Sequence, residues 1–376
     1  MAIKIRCFIF LNITKFMIEF NYRVRKANEG EKEDLSSLPM KGVYLYKKIS
    51  DNKVQCLNCA HRCTILSGKR GICGVRENKD GKLFALNYGK VIALHIDPIE
   101  KKPFFHFLPG SYSLSVATVG CNFKCKSCQN YDISQAPNLT GKVEGQEILP
   151  KEIVRVALQK KLPSISYTYT EPAIFSEFAL DTMKLAKKEG IKNNWVSNGF
   201  WSKELFDLIY PYLDAANIDL KGFTNDFYVK YCAGKLQPVL DTLKRLKSKK
   251  IWVEVTTLII PTLNDSEEVL KDIANFIKKD LGSETPWHVS QFSGAISWQL
   301  QDAPDTPVET LKKAYEIGKK AGLKYVYTGN VPGLPSEDTF CPKCNTLAID
   351  RTAYLVSRYD KEGKCPKCGA DLNLII

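Results

Sequence analysis

From Tyr112 to Asn330 the chain repeats one unit, a short run rich in β-branched and aromatic residues followed by a segment of helical period. The runs are Tyr112–Gly120, Ile165–Glu171, Asn194–Gly199, Ala216–Gly222, Ile251–Ile260, Trp287–Phe292 and Tyr325–Asn330. The helical segments carry their own boundaries. Asp265 with Glu268 makes a capping-box pattern ahead of Val269, Leu270, Ile273, Phe276 and Ile277, and Gly282 follows. Thr306-Pro307-Val308-Glu309 is a second box with proline at the first helical position, ended by Gly322. Pro150 and Gly190 play comparable start and stop roles. Strands that alternate with helices imply a parallel sheet, because a parallel neighbour is reached through a crossover. Six or seven such units predict an α/β fold, a partial or complete TIM-like (β/α) barrel.

In such a barrel the C-terminal strand ends converge on one rim, where active sites are built. Reading each run to its end gives Cys121, Thr170-Glu171-Pro172, Ser197-Asn198-Gly199, then Asp219 and Lys221, Pro261 and His288. Any one of these alone is more often a turn or capping residue. Together they predict a pocket with anionic and cationic partners for a zwitterionic ligand. The first strand end also carries three thiols, Cys121, Cys125 and Cys128, at C-x3-C-x2-C spacing. Three thiolates this close suit the corners of an iron–sulfur cube. An electron-carrying cluster is normally closed by four protein thiolates. Three leave one iron free for a ligand, as catalytic zinc keeps a position open. The competing reading is an ordinary cluster or zinc site completed by a distant cysteine.

Two further cysteine groups flank the repeats. Cys56, Cys59 and Cys63, with Cys73 beyond, sit on a glycine-punctuated loop and could close around zinc or a second iron–sulfur cluster. His61 among them reads as loop packing rather than a ligand. Cys341-Pro342-Lys343-Cys344 and Cys365-Pro366-Lys367-Cys368 read as a closed, structural four-cysteine zinc ribbon, a site that also takes iron. Cys7 and Cys232 are left over; Cys232 reads first as a small buried residue, with a thiol near the substrate as the alternative. The 13 cysteines of this 376-residue chain thus suit metal ligation in a reducing compartment rather than disulfides. The formal charge of +13 counts every thiol as neutral. Two four-thiolate metal sites and one three-thiolate cluster bring it to roughly +8. No Lys/Arg block stands out, so nucleic acid is not expected as a partner. Residues 1–20 are apolar but interrupted by charges; their uncharged core, Cys7 to Thr14, is too short to span a membrane, and no cleavage site follows. They read as a peripheral extension or misassigned start, with Met40 as the start and Arg23 to Asp34 as linker. The expected layout is extension 1–40, Cys-rich module 41–110, barrel 111–335 and zinc-ribbon or rubredoxin-like module 336–376.

The three-thiol spacing resembles the signature of the radical S-adenosylmethionine (radical SAM) enzymes. Ser115–Gln135, Tyr167–Pro172, Trp195–Phe200, Asn217–Gly222 and Glu254–Asn264 resemble its activating-enzyme branch, which includes the pyruvate formate-lyase activating enzymes. With cysteine-rich segments at both ends, the chain from Met40 to Ile376 is most similar to the AmmeMemoRadiSam system radical SAM enzymes. That resemblance implies a [4Fe–4S] cluster on Cys121, Cys125 and Cys128 whose open iron chelates SAM. It implies that Glu171, with Thr170, meets the SAM ammonium and that Asn198 holds the ribose or carboxylate. Asp219 and Lys221 would frame the methionine end, and His288 would lie near the adenosine. The family usually has an aromatic where this chain has Ser127, so Phe123 is the candidate to meet the adenine. Beyond His288 the stretch Ser293–Trp298 departs from the family pattern, as does Ala60 where proline is usual.

The implied reaction is reductive cleavage of SAM to a 5′-deoxyadenosyl radical that removes hydrogen from a protein or peptide, a backbone glycine among the options. Implied partners are a flavodoxin or ferredoxin electron donor and Memo-like and AMMECR-like proteins, in the cytoplasm. The alternatives are a radical SAM enzyme that modifies RNA, an iron–sulfur electron carrier, and a zinc-ribbon scaffold on an inactive barrel.

Overall fold

The computed structural model describes residues 41–331, 335–352 and 354–376. The extension 1–40, with Cys7, the linker and the expected start at Met40, lies outside the described residues. Seven parallel strands follow one another in sequence: β1 Tyr112–Thr118, β2 Ser164–Tyr167, β3 Lys192–Ser197, β4 Ala215–Asp219, β5 Trp252–Ile259, β6 Trp287–Gln291 and β7 Val326–Gly329. Between them run α1 Pro150–Gln159, α2 Ser176–Lys188, α3 Lys203–Ile209, α4 Leu236–Ser248, α5 Glu267–Phe276 and α6 Val308–Ala321. In α4 the buried residues are Val239, Thr242, Leu243 and Leu246, one helical stripe turned onto the sheet. Burying a side chain such as Leu243 contributes roughly 1.5–3 kcal/mol.

The sheet order is β7-β6-β5-β4-β3-β2-β1, continued past β1 by the strands Lys90–Pro98 and Gln146–Glu147. The barrel is therefore partial. Lys90–Pro98 runs antiparallel along β1 and pairs with it from Val91 to Pro98. The sheet thus begins inside the stretch 41–110 that the sequence reading set apart, because β1 would otherwise expose an unpaired edge.

Two capping expectations need correction. The cap of α5 is Ser266, whose hydroxyl accepts from the Val269 amide, one residue later than Asp265 and without the reciprocal Glu268 bond of a box. Thr306 caps no helix. Its hydroxyl donates to the Ile259 carbonyl at 2.5 Å and accepts from the Phe292 amide, tying the ends of β5 and β6 together.

Near the starts of β4 and β5 the segment Ile99–Phe107 closes the bottom of the sheet. Glu254, fully buried, accepts from the amides of Phe105, His106 and Phe107, from Trp252 Nε1 and from His288 Nε2. Burial works against its charge, but the His288 bond and these donors hold its carboxyl down at about 2. The tail docks on the same plug. Arg351 donates to the Phe105 carbonyl at 2.7 Å, and the Ile375 amide to the His106 carbonyl at 2.8 Å.

Candidate active site

The loop after β1 is held from three sides. The Lys124 and Lys126 amides donate to the carbonyls of Cys232 and Tyr231, at the turn Tyr228–Cys232. Gln135 Nε2 donates to the Phe123 carbonyl at 3.0 Å. The Gln299 amide donates to the Lys126 carbonyl at 2.8 Å, and Trp298 stacks on Tyr131. The stretch Ser293–Trp298 that departs from the family pattern is thus placed beside the cysteine loop. Phe123 is buried against Phe200 and Tyr228. Gly234 lies beneath its ring, and a Cβ there would come within 2.3 Å of it. In this position Phe123 anchors the loop and turns no exposed face toward a ligand.

On this loop Cys121 is buried and Cys125 and Cys128 are half-buried. Around it the strand ends bring together most of the expected residues. Thr170 Oγ1 donates to the Thr118 carbonyl at 2.8 Å, joining the ends of β1 and β2. Asn198 Nδ2 donates to Asn122 Oδ1 at 2.7 Å, next to Cys121. Glu171 accepts from Ser197 Oγ at 2.7 Å, from the Asn198 amide at 2.9 Å and from the Ala173 amide at 3.0 Å. Burial pushes its carboxyl up to about 7, even though these donors pull the other way. Glu171 is a buried carboxyl that fixes the Asn198 backbone.

Lys221 pairs with Asp219 at 2.8 Å. Its carbonyl accepts from Asn264 Nδ2, which shapes the turn after β5. Burial lowers the Lys221 ammonium, but Asp219 and the thiols of Cys125 and Cys232 more than offset this and raise it.

His288 does not join this group. It is the second residue of β6, and its ring bonds Glu254 at 2.7 Å and packs on Phe105 and Tyr327. It stands at the start of that strand, over the plug, and the strand ends on Ser290 and Gln291 instead.

The sequence reading passed over several neighbours. Cys232 is buried, as packing predicts, but its thiol lies against Cys125, whose own thiol is raised by that hydrogen bond and by burial. No spacing pattern signals a pair 107 positions apart, since 232 − 125 = 107. Lys102, pushed down to about 8 by burial, pairs with Asp97 at 2.7 Å and lies over the ring of Tyr169, just before Thr170. Asn122 was visible only as a spacer between cysteines.

The tail differs from the loop. The sulfurs of Cys341, Cys344, Cys365 and Cys368 lie within 4.8 Å of one another, with closest pairs at 3.5 and 3.6 Å. Four thiols so gathered suit one ion; which ion they select is not fixed by the donors.

The radical SAM superfamily model matches residues 115–277, from β1 to α5. Protein MJ0808 of Methanocaldococcus jannaschii is 45% identical over 340 residues, covering 90% of this chain and all of that one. MJ1632 of the same organism, named as a proposed glycyl-radical enzyme activating enzyme, is 31% identical over 56% of this chain and 78% of its own. The chain belongs to the radical SAM superfamily. The pyruvate formate-lyase-activating enzyme of Clostridium pasteurianum is 28% identical over 42% of this chain and 66% of its own length.

Membership implies a [4Fe–4S] cluster and SAM. The radical SAM donor set is present as three thiols on one loop, with the Lys221 cation beside Cys125 to offset thiolate charge. The residues fit the group. Among the described residues no helix is long and apolar enough to cross a membrane.

Proposed function

We propose that the protein is a radical SAM enzyme of the activating-enzyme type, acting on a protein or peptide. The observation that carries this reading is the meeting of the three-thiol loop and a rim of both charges at one end of the sheet. When bound, the reduced [4Fe–4S] cluster supplies the electron that splits SAM into methionine and a 5′-deoxyadenosyl radical, which takes a hydrogen atom from the substrate. Cys121, Cys125 and Cys128 hold that cluster. Lys221, oriented by Asp219, meets the carboxylate at the methionine end, and a lysine–carboxylate hydrogen bond gains strength where water is excluded. Thr170 faces the ammonium, with the Glu171 carboxyl buried behind it. Asn198, held through Glu171 and Asn122, meets the ribose or carboxylate.

The relatives named as activating enzymes support a polypeptide substrate, a glycine backbone included, and a flavodoxin or ferredoxin as electron donor. The finer assignment to the AmmeMemoRadiSam system, with Memo-like and AMMECR-like partners, rests on the paired cysteine modules. Zinc is the ion proposed for the tail.

The test is anaerobic reconstitution, then dithionite, SAM and candidate partner proteins, with deuterium followed into 5′-deoxyadenosine. Formation of 5′-deoxyadenosine is expected from SAM alone, and deuterium uptake names the hydrogen donor. A reconstituted cluster whose spectrum ignores SAM would overturn the reading.

A further inference from the structure

Behind the cluster loop lies a second set of thiols that neither the superfamily match nor the proposed reaction uses. Cys56, Cys59, Cys63 and Cys73 line one small, partly open pocket together with Arg76 and Asn122. Among the described residues two buried donors at this pocket have no partner. Arg76 is 2% exposed; its Nη1 pairs with Glu177 at 2.6 Å, but its Nε has no acceptor. Asn122 is 1% exposed, and its Nδ2 has no partner although its Oδ1 accepts from Asn198. A buried donor left unpaired costs ~1–3 kcal/mol, and native folds keep few of them. A guanidinium and an amide beside a thiol-lined pocket suit an anionic, sulfur-rich occupant.

The tail of the same chain shows the single-ion alternative. Tetrahedral zinc at a Zn–S distance of about 2.3 Å sets its sulfurs about 3.8 Å apart, close to the 3.5–3.6 Å at the tail. Among the described residues the tail thiols are the group gathered this closely. The four N-terminal thiols surround a pocket instead, as they must where each binds a different metal ion of a polynuclear centre.

We propose that Cys56, Cys59, Cys63 and Cys73 hold a second [4Fe–4S] cluster, closed by four thiolates, with Arg76 and Asn122 donating to its sulfurs. This site abuts the SAM-cleaving one. Asn122 follows Cys121 in the chain, and its carbonyl bonds His61 of the first cysteine knuckle at 2.8 Å. Gly120, at φ +103°, leaves no room for a side chain, since a Cβ would come within 3.0 Å of the Cys73 carbonyl. The proposal stands on the N-terminal residues and does not rest on the SAM reaction.

The test compares the full-length chain, anaerobically reconstituted with iron and sulfide, with two variants. The wild type is expected to hold about eight iron and eight sulfide beyond the tail ion. The double variant Cys59→Ala/Cys63→Ala should lose about half of each. The triple variant Cys121→Ala/Cys125→Ala/Cys128→Ala should keep about four iron and give a reduced paramagnetic signal that SAM does not change. Broadening of the spectrum in fully reduced wild type, absent from both variants, would report that the two clusters are neighbours. A triple variant that shows native circular dichroism but no iron, or a wild type with zinc in place of the second cluster, overturns the proposal. If the triple variant keeps its cluster while wild type fails to cleave SAM, the proposed reaction falls and the second cluster stands.

Discussion

At the tail, four sulfurs lie within 4.8 Å of one another on a module whose buried core is Cys341, Ala348, Cys365 and Leu372. At the cluster loop, three thiols ride on a large barrel core, each segment beneath them fixed by main-chain bonds to Cys232, Tyr231 and Gln299. Two of the four core residues of the tail are cysteines of the group proposed to hold an ion, so on that proposal removing the ion removes much of what folds it. The loop is positioned by Gly234, Phe123, Asn198 and Glu171, which bind no metal in the proposed scheme. In that scheme the ion makes the structure in one region, and in the other the structure makes the site.

The largest effect should come from Cys341→Ser with Cys365→Ser. That pair is expected to release one ion per chain and open the tail to proteolysis, a loss on the order of 10 kcal/mol of metal-coupled folding, while the barrel still unfolds as a unit. Unchanged metal stoichiometry would break the comparison at its first half.

Next, Cys125→Ala should abolish 5′-deoxyadenosine formation yet shift the stability of the cluster-free chain by less than about 1 kcal/mol. Cys232→Ala sharpens this point. It should retain a SAM-responsive cluster, whereas loss of the cluster would make Cys232 the fourth ligand and close the open corner.

Glu171 offers a pH test of the scaffold itself. Its folded value near 7 lies above the usual 4.5. Its contribution is therefore full below the usual value and lost as pH rises through about 7. Relative to Glu171→Gln, cluster-free wild type should lose up to about 3 kcal/mol over that window, measured by denaturant melts. A flat difference would show that burial does not raise the Glu171 carboxyl that holds Asn198.

Gly234→Ala should cost ~1–3 kcal/mol by overpacking against Phe123, with slower SAM cleavage because the cysteine loop must shift. The smallest effect is expected from Lys221→Ala, a loss of ~1–3 kcal/mol in SAM binding with the cluster intact. An unaltered SAM dissociation constant would reject its role at the methionine end.

The order of the strands, the crossovers between them and the three-thiol spacing were legible in the sequence because they depend on local periodicity and short-range spacing. Thr170, Glu171, Asn198, Asp219 and Lys221 were legible for the same reason, each being a polar break at the end of an apolar run. His288 broke the rule because it stands at the start of its strand, where Glu254 and the plug satisfy it, while Ser290 and Gln291 occupy the end. The docking of Cys232 on Cys125, of Gly234 under Phe123 and of Asn122 between two thiol sites joins residues far apart in the chain, and no local pattern encodes such pairs. Sequence alone thus determined which groups can ligate metal and on which rim they stand. Tertiary packing decided how far apart the sulfurs sit and which buried donors face them, because those depend on which distant segments fill the space behind each loop.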